Sequence, residues 1–142
     1  MTGKPITEKP ITEKPKRPPL PTHALRPLGR IRRETLAAWT ARTQQALITV
    51  DCSGCADKRD VLSAIARALE LPSWFGLNWD ALYDALTDLP QQRPAAGYVL
   101  LLEHLPDGPR FGTDERAALL AVLRDTVDDY AERKIPFRVL YD

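Results

Sequence analysis

LPSWFGLNWDALYDALTDL, residues 71–89, is the stretch whose reading decides the fold. Asp80, Asp84 and Asp88 fall at i, i+4 and i+8, so a helix stacks their carboxylates along one stripe. The opposite face is Ala81, Leu82, Ala85, Leu86 and Leu89, an apolar stripe suited to docking on a core. Asn78 is a natural N-cap and Pro90 a stop, which predicts a helix from Asn78 to Leu89. Each like-charged i, i+4 pair costs a helix roughly 0.2–0.5 kcal/mol, and the last turn opposes Asp88 through the helix dipole. Four of the ten aromatic residues, Trp74, Phe75, Trp79 and Tyr83, crowd beside these acids, and no Lys or Arg occurs between Arg67 and Arg93. A row of Asp alone reads as a solvated face. With Trp and Tyr interleaved it has the make-up of an interface for a positively charged partner. At least one of Trp74, Phe75 and Trp79 is expected to be mainly buried.

Outward from this helix the chain alternates strands and helices. Ala46–Asp51 reads as a buried strand, and Asp57–Glu70 as a helix with Val61, Leu62, Ile65, Ala66 and Leu69 on one face. Gly97–Glu103 is a continuous apolar run, as in a strand covered on both sides. Thr113 is placed to cap a helix running to about Arg133, with Leu119, Leu120, Val122, Leu123 and Val127 inward, and Phe137–Tyr141 closes as a strand. The expected class is α/β, a small parallel three-stranded sheet packed by helices.

Residues 1–28 carry seven of the thirteen prolines, and Lys4-Pro5-Ile6-Thr7-Glu8 repeats as Lys9-Pro10-Ile11-Thr12-Glu13. Such a Pro/Lys-rich tail is expected to be disordered. The expected division is a tail over 1–30, a helical extension over 31–45 docked through Leu36 and Trp39, and a domain over 46–142.

The net charge of +1 hides an asymmetry: residues 1–33 hold nine Lys/Arg against two Glu, and residues 34–142 hold eleven against seventeen Asp/Glu. The body is acidic, which argues against nucleic acid as its ligand and favours a basic protein. The basic tail reads as a solubilising extension, with loose, salt-dependent binding of RNA or another acidic surface, or of the chain's own acidic stripe, as alternatives. The longest apolar run, Ala95–Leu102, is interrupted by Gly97 and too short for a bilayer, and no apolar leader is visible, so the expected location is cytoplasmic.

Other chemistry finds little support. Cys52-Ser53-Gly54-Cys55 has redox spacing, but in a reducing cytosol two structural thiols are the commoner case. With only His23 and His104 to add, no metal site and no cofactor are expected, and His104 reads as a surface residue. Two carboxylates on one helix face point the same way and cannot flank a sugar, so no enzyme is expected.

The run Trp74-Phe75-Gly76-x-Asn78-x-Asp80-Ala81-Leu82-x-Asp84-Ala85-Leu86 closely resembles the central motif of the barstar family, intracellular inhibitors of barnase-type ribonucleases. The resemblance extends over about Ala46–Asp142 and implies a barstar-like fold and a monomeric immunity protein that plugs a nuclease active site. It implies that Asp84 enters the phosphate pocket, with Trp74, Asn78, Asp80, Tyr83 and Thr87 at positions around it, and Trp79 and Asp88 beside them complete the expected partner-binding set. Two positions depart. Asp88 stands where the best-known member has glycine, and Ala117 falls where the family carries a glutamate, with Asp114 and Glu115 just upstream. These departures keep a second reading open, in which the same fold binds a different basic partner without inhibiting a ribonuclease.

Overall fold

The computed structural model describes residues 20–142. Four parallel strands, β1 (His23–Pro27), β2 (Ala46–Asp51), β3 (Tyr98–Glu103) and β4 (Phe137–Tyr141), stand in the order β1-β4-β3-β2. Between them run α1 (Arg33–Arg42), α2 (Lys58–Leu69), α3 (Trp79–Thr87), the short α4 (Leu89–Gln92) and α5 (Thr113–Glu132).

β3 is flanked by β4 and β2, and all six of its residues are buried, which is why its sequence is apolar without alternation. Its side chains still alternate between two cores. Tyr98, Leu100 and Leu102 join Ile48, Val50, Phe137 and Val139 beneath α2, α3 and α5, whereas Val99 and Leu101 join Leu140 beneath α1. The larger core contains an aromatic group in which Tyr130 stacks on Phe137 at 4.3 Å and meets Tyr98 edge-on at 5.9 Å. In the smaller one Leu36 and Trp39 are buried, as their spacing predicts, and the Arg138 guanidinium lies 4.7 Å from the Trp39 ring centroid. Burial lowers the pKa of Arg138, and its Nε has no hydrogen-bond partner among the described residues.

The sheet has four strands, not the three expected. β1 lies inside the stretch read as a structureless tail to residue 30, where proline content outweighed a weak strand pattern. Residues 1–19 of that tail lie outside the described residues. From Leu20 onward the chain belongs to the smaller core, where Leu20, Ala24 and Leu28 are buried. β1 pairs only with β4, so Pro27 ends an edge strand, where its missing N–H breaks no inner ladder. His23 is thus fixed in the fold, and its Nε2–H donates to the Ile135 carbonyl at 2.9 Å.

Three local expectations are also corrected. The helix expected over Ile31–Gln45 is confined to Arg33–Arg42. Thr113 is the first residue of α5 rather than its cap, because Gly112 occupies the N-cap position without a side-chain hydrogen bond. Pro90 does not stop α3, which already ends at Thr87; it sits in the first turn of α4, where a missing N–H costs nothing.

Trp39→Ala is expected to cost about 3–5 kcal/mol, the usual penalty for emptying a buried aromatic site. Urea unfolding measures it, and Trp39→Phe should recover most of the loss.

Candidate functional site

The site grows from the loop between α2 and α3. Glu70 closes α2 in the left-handed conformation (φ 57°), and the Leu71 N–H donates back to the Ala66 carbonyl at 3.0 Å. The loop then turns through a Phe75 N–H bond to the Pro72 carbonyl at 2.9 Å. Phe75 and Trp79 are partly buried against the larger core, whereas Trp74 is 83% exposed, the one large apolar side chain so exposed among the described residues. The Asn78 side-chain oxygen accepts from the Ala81 N–H at 2.8 Å and so starts α3. A Cβ on Gly76 would come within 2.9 Å of the Asn78 amide nitrogen, so a side chain there would press on the cap.

α3 buries Leu82 and Leu86 completely and leaves Asp80 and Asp84 exposed. Its last carbonyls, which a helix cannot satisfy internally, are taken by α5. The Tyr130 hydroxyl donates to the Leu86 carbonyl, and an Arg133 Nη donates to the Thr87 carbonyl at 2.8 Å. Burial raises the pKa of the Tyr130 phenol, which keeps it a donor. Arg133 also stands 2.7 Å from the Asp129 carboxylate.

Between α3 and α5 lies a cleft of about 480 Å³ whose lining carries six carboxylates, Asp80, Asp84, Asp125, Asp128, Asp129 and Glu132, with Trp79 and Tyr83 among them. The Tyr83 phenol titrates above its ordinary range, first through burial and then through the negative charges of Asp129 and Asp125. A second cleft of about 650 Å³ lies between α3 and the loop that carries Trp74. Asp84 lines both clefts, so this exposed residue stands on the ridge that separates them.

The family model described as Barstar (barnase inhibitor) matches residues 45–142. The chain belongs to the barstar family. The match takes in β2 to β4 and α2 to α5, so β1 and α1 are additions outside it. No curated protein matches the chain.

Within this barstar domain the expected site residues are not all equivalent. Trp79, Asp80 and Tyr83 line the first cleft, Trp74, Thr87 and Asp88 line the second, and Asp84 belongs to both. The stripe of three aspartates is therefore split. α3 ends at Thr87, and Asp88 is its C-cap, with its carboxylate accepting from the Gln92 side-chain amide at 3.0 Å. Asn78 is exposed, but its side-chain oxygen is committed to the cap. The Thr87 hydroxyl donates back to the Tyr83 carbonyl at 2.9 Å. Ala117 is exposed and lines neither cleft.

Asp125, Asp128, Asp129 and Glu132 are the site residues that sequence reasoning missed. Their spacing puts them on one face of α5, but such a stripe reads as solvated until α3 is packed against it. The missing compensation around residues 67–93 also comes from elsewhere: Lys58 Nζ lies 5.2 Å from the Trp79 ring centroid, and Arg133 reaches Thr87. Cys52 and Cys55 are both free thiols. Burial pushes Cys52 up to about 12 and raises Cys55, the reverse of the shift that makes a reactive thiolate. Among the described residues no group of three or more His, Cys, Asp or Glu could hold a metal ion, and His104 is exposed. None of the described helices is long and apolar enough to cross a membrane.

Two measurements probe this geometry. Asn78→Ala should lower stability by about 1 kcal/mol through loss of the cap, read by urea unfolding. At pH 8 iodoacetamide should leave Cys52 unlabelled in the native chain and label both thiols in urea, because the native Cys52 thiol stays protonated well above that pH.

Proposed function

We propose that this barstar-family protein is a stoichiometric inhibitor of a barnase-type ribonuclease, acting as a monomeric immunity protein in the cytoplasm. The observation that carries the reading is Asp84 on the ridge between two clefts, with a wall of further carboxylates on one side and Trp74 on the other. A ribonuclease must hold basic side chains where its substrate phosphates bind. Asp84 would take the place of such a phosphate, and Asp80 would add a second ion pair. Trp74, Trp79 and Tyr83 would supply packed area that excludes water around those pairs, which makes each of them stronger.

Electrostatics would also set the speed of capture. The carboxylates of the first cleft form a one-signed surface, and such a surface raises the association rate with a basic partner, more so at low salt. That suits a protein that must silence a toxic enzyme before it damages the cell. No covalent step and no cofactor are needed, because occlusion alone stops the substrate.

The test is an RNA-cleavage assay with a small guanyl-specific ribonuclease of the barnase type, titrated with the wild-type chain and with Asp84→Ala. Activity should fall linearly to zero at one equivalent of wild type. Asp84→Ala should weaken binding by about 2–5 kcal/mol, a range drawn in part from the barnase–barstar pair itself. Undiminished binding by both Asp84→Ala and Asp80→Ala would show that the site lies elsewhere. Complete absence of inhibition by wild type would favour a different basic partner for the same face.

A further inference from the structure

Among the described residues two charged side chains are buried, Glu103 and Arg138, and they are treated differently. Glu103 takes Arg33 as its ion-pair partner. Arg138, only 4% exposed on β4, has no acid within salt-bridge reach among the described residues. Its Nη1 approaches the Gln45 side-chain oxygen at 3.5 Å, and its guanidinium lies over the Trp39 ring, 4.7 Å from the centroid. The Nε, enclosed and unbonded among the described residues, stands on the edge of the guanidinium away from Nη1, which it shares with Nη2. That edge is the fork through which a guanidinium takes a carboxylate in two parallel bonds.

A buried ion is costly unless charge and hydrogen bonds compensate it. Stacking on an indole offsets part of the cost and leaves the fork unfilled. Burial is what shifts the Arg138 guanidinium, and it does so downward, so no described carboxylate acts on it. An apolar side chain of similar volume would fill this core without that cost, which points to an anion as the reason for the charge.

The surroundings of Arg138 say which anion is at hand. Its neighbours across the sheet are Ala24 of β1 and Val99 of β3, and the Phe137 N–H just before it donates to the Thr22 carbonyl at 3.1 Å. Leu20, where the described chain begins, is buried in the same core as Ala24, Trp39 and Val99. The residues that precede Leu20 therefore join the protein beside this guanidinium. Residues 1–19 hold two acids, Glu8 and Glu13, one in each Ile-Thr-Glu repeat. The seven residues from Glu13 to Leu20 span up to roughly 23 Å when extended, ample for a return to the next strand.

We infer that Arg138 is the receptor for a glutamate carboxylate of the chain's own residues 1–19, Glu13 being the nearer of the two, and that this pair fastens the Pro/Lys-rich segment to the face of the sheet covered by α1. Tethering at Leu20 gives that carboxylate an effective concentration of about millimolar or more, which a free anion has to match before it competes.

The test uses the full chain. The Arg138 Nε–H signal is read in nitrogen-15 correlation spectra, assigned by through-bond connection to its own backbone. The double variant Glu8→Ala, Glu13→Ala should move this signal and speed its exchange with water about tenfold or more. The double variant Lys9→Ala, Lys14→Ala alters as many charges in the same segment and should leave the signal in place. Sodium acetate should not move it in wild type, because the fork is already filled. In urea the glutamate variant should unfold earlier than wild type, and the difference should vanish when both chains carry Arg138→Met. The spectra depend only on changes in residues 1–19 and so decide the matter whether or not Arg138→Met folds. A signal unchanged in the glutamate variant, moved as far by the lysine variant, or moved in wild type by acetate would overturn the inference, the last by showing a fork open to any free anion.

Discussion

The grip of α5 on the end of α3 is the constraint on which the rest of the surface depends. α3 has nine residues, too few to be stable alone, and it begins with two aspartates one turn apart. Nothing basic lies in its last turn to offset the dipole, so Tyr130 and Arg133 satisfy the Leu86 and Thr87 carbonyls from outside. Buried Leu82 and Leu86 add roughly 1.5–3 kcal/mol each in apolar transfer, more than the acidic stripe costs. A helix held in this way presents its carboxylates in one geometry. Less ordering entropy would then be lost in any complex that uses this face than against a fraying helix.

The same packing concentrates negative charge on this surface. Docking α5 against α3 brings Asp125, Asp128, Asp129 and Glu132 to the cleft that Asp80 and Asp84 already line. Burial first, and then the charges of Asp129 and Asp125, raise the pKa of the Tyr83 phenol within it. Arg133 offsets one of these acids, Asp129, and Lys58 stands over Trp79, but no described Lys or Arg lines the cleft itself. Repulsion left in this cleft would be relieved by the basic partner proposed above. The apolar core beneath tolerates it because the β3 ladder and its aromatic neighbours are fully enclosed.

β1 and α1 have a different role. They lie outside the matched barstar region and close the second face of the sheet, where Val99, Leu101 and Leu140 are buried beneath Leu36 and Trp39. The extension therefore completes a three-layer arrangement on the face of the sheet opposite α3 and α5.

Much of this was legible in the chain itself. Ala46–Asp51 and Phe137–Tyr141 were readable as strands because apolar runs of that length have few other uses. The Asn78 cap and the Leu82/Leu86 face of α3 follow from helical periodicity, and Asp84 and Trp74 stood out because solvated helices seldom mix such acids with exposed aromatics. These are local signals, carried by neighbours in sequence. Only the tertiary structure decided that His23–Pro27 is a strand, since an edge strand among prolines is stabilised by its neighbour β4 and not by its own pattern. Only packing could assign Asp88 to a different cleft from Asp80, or turn the acids of α5 from a solvated stripe into a wall of the site. Charge and hydropathy along a chain specify which residues want water; which carboxylates must share one cleft depends on distances between helices that no linear spacing contains.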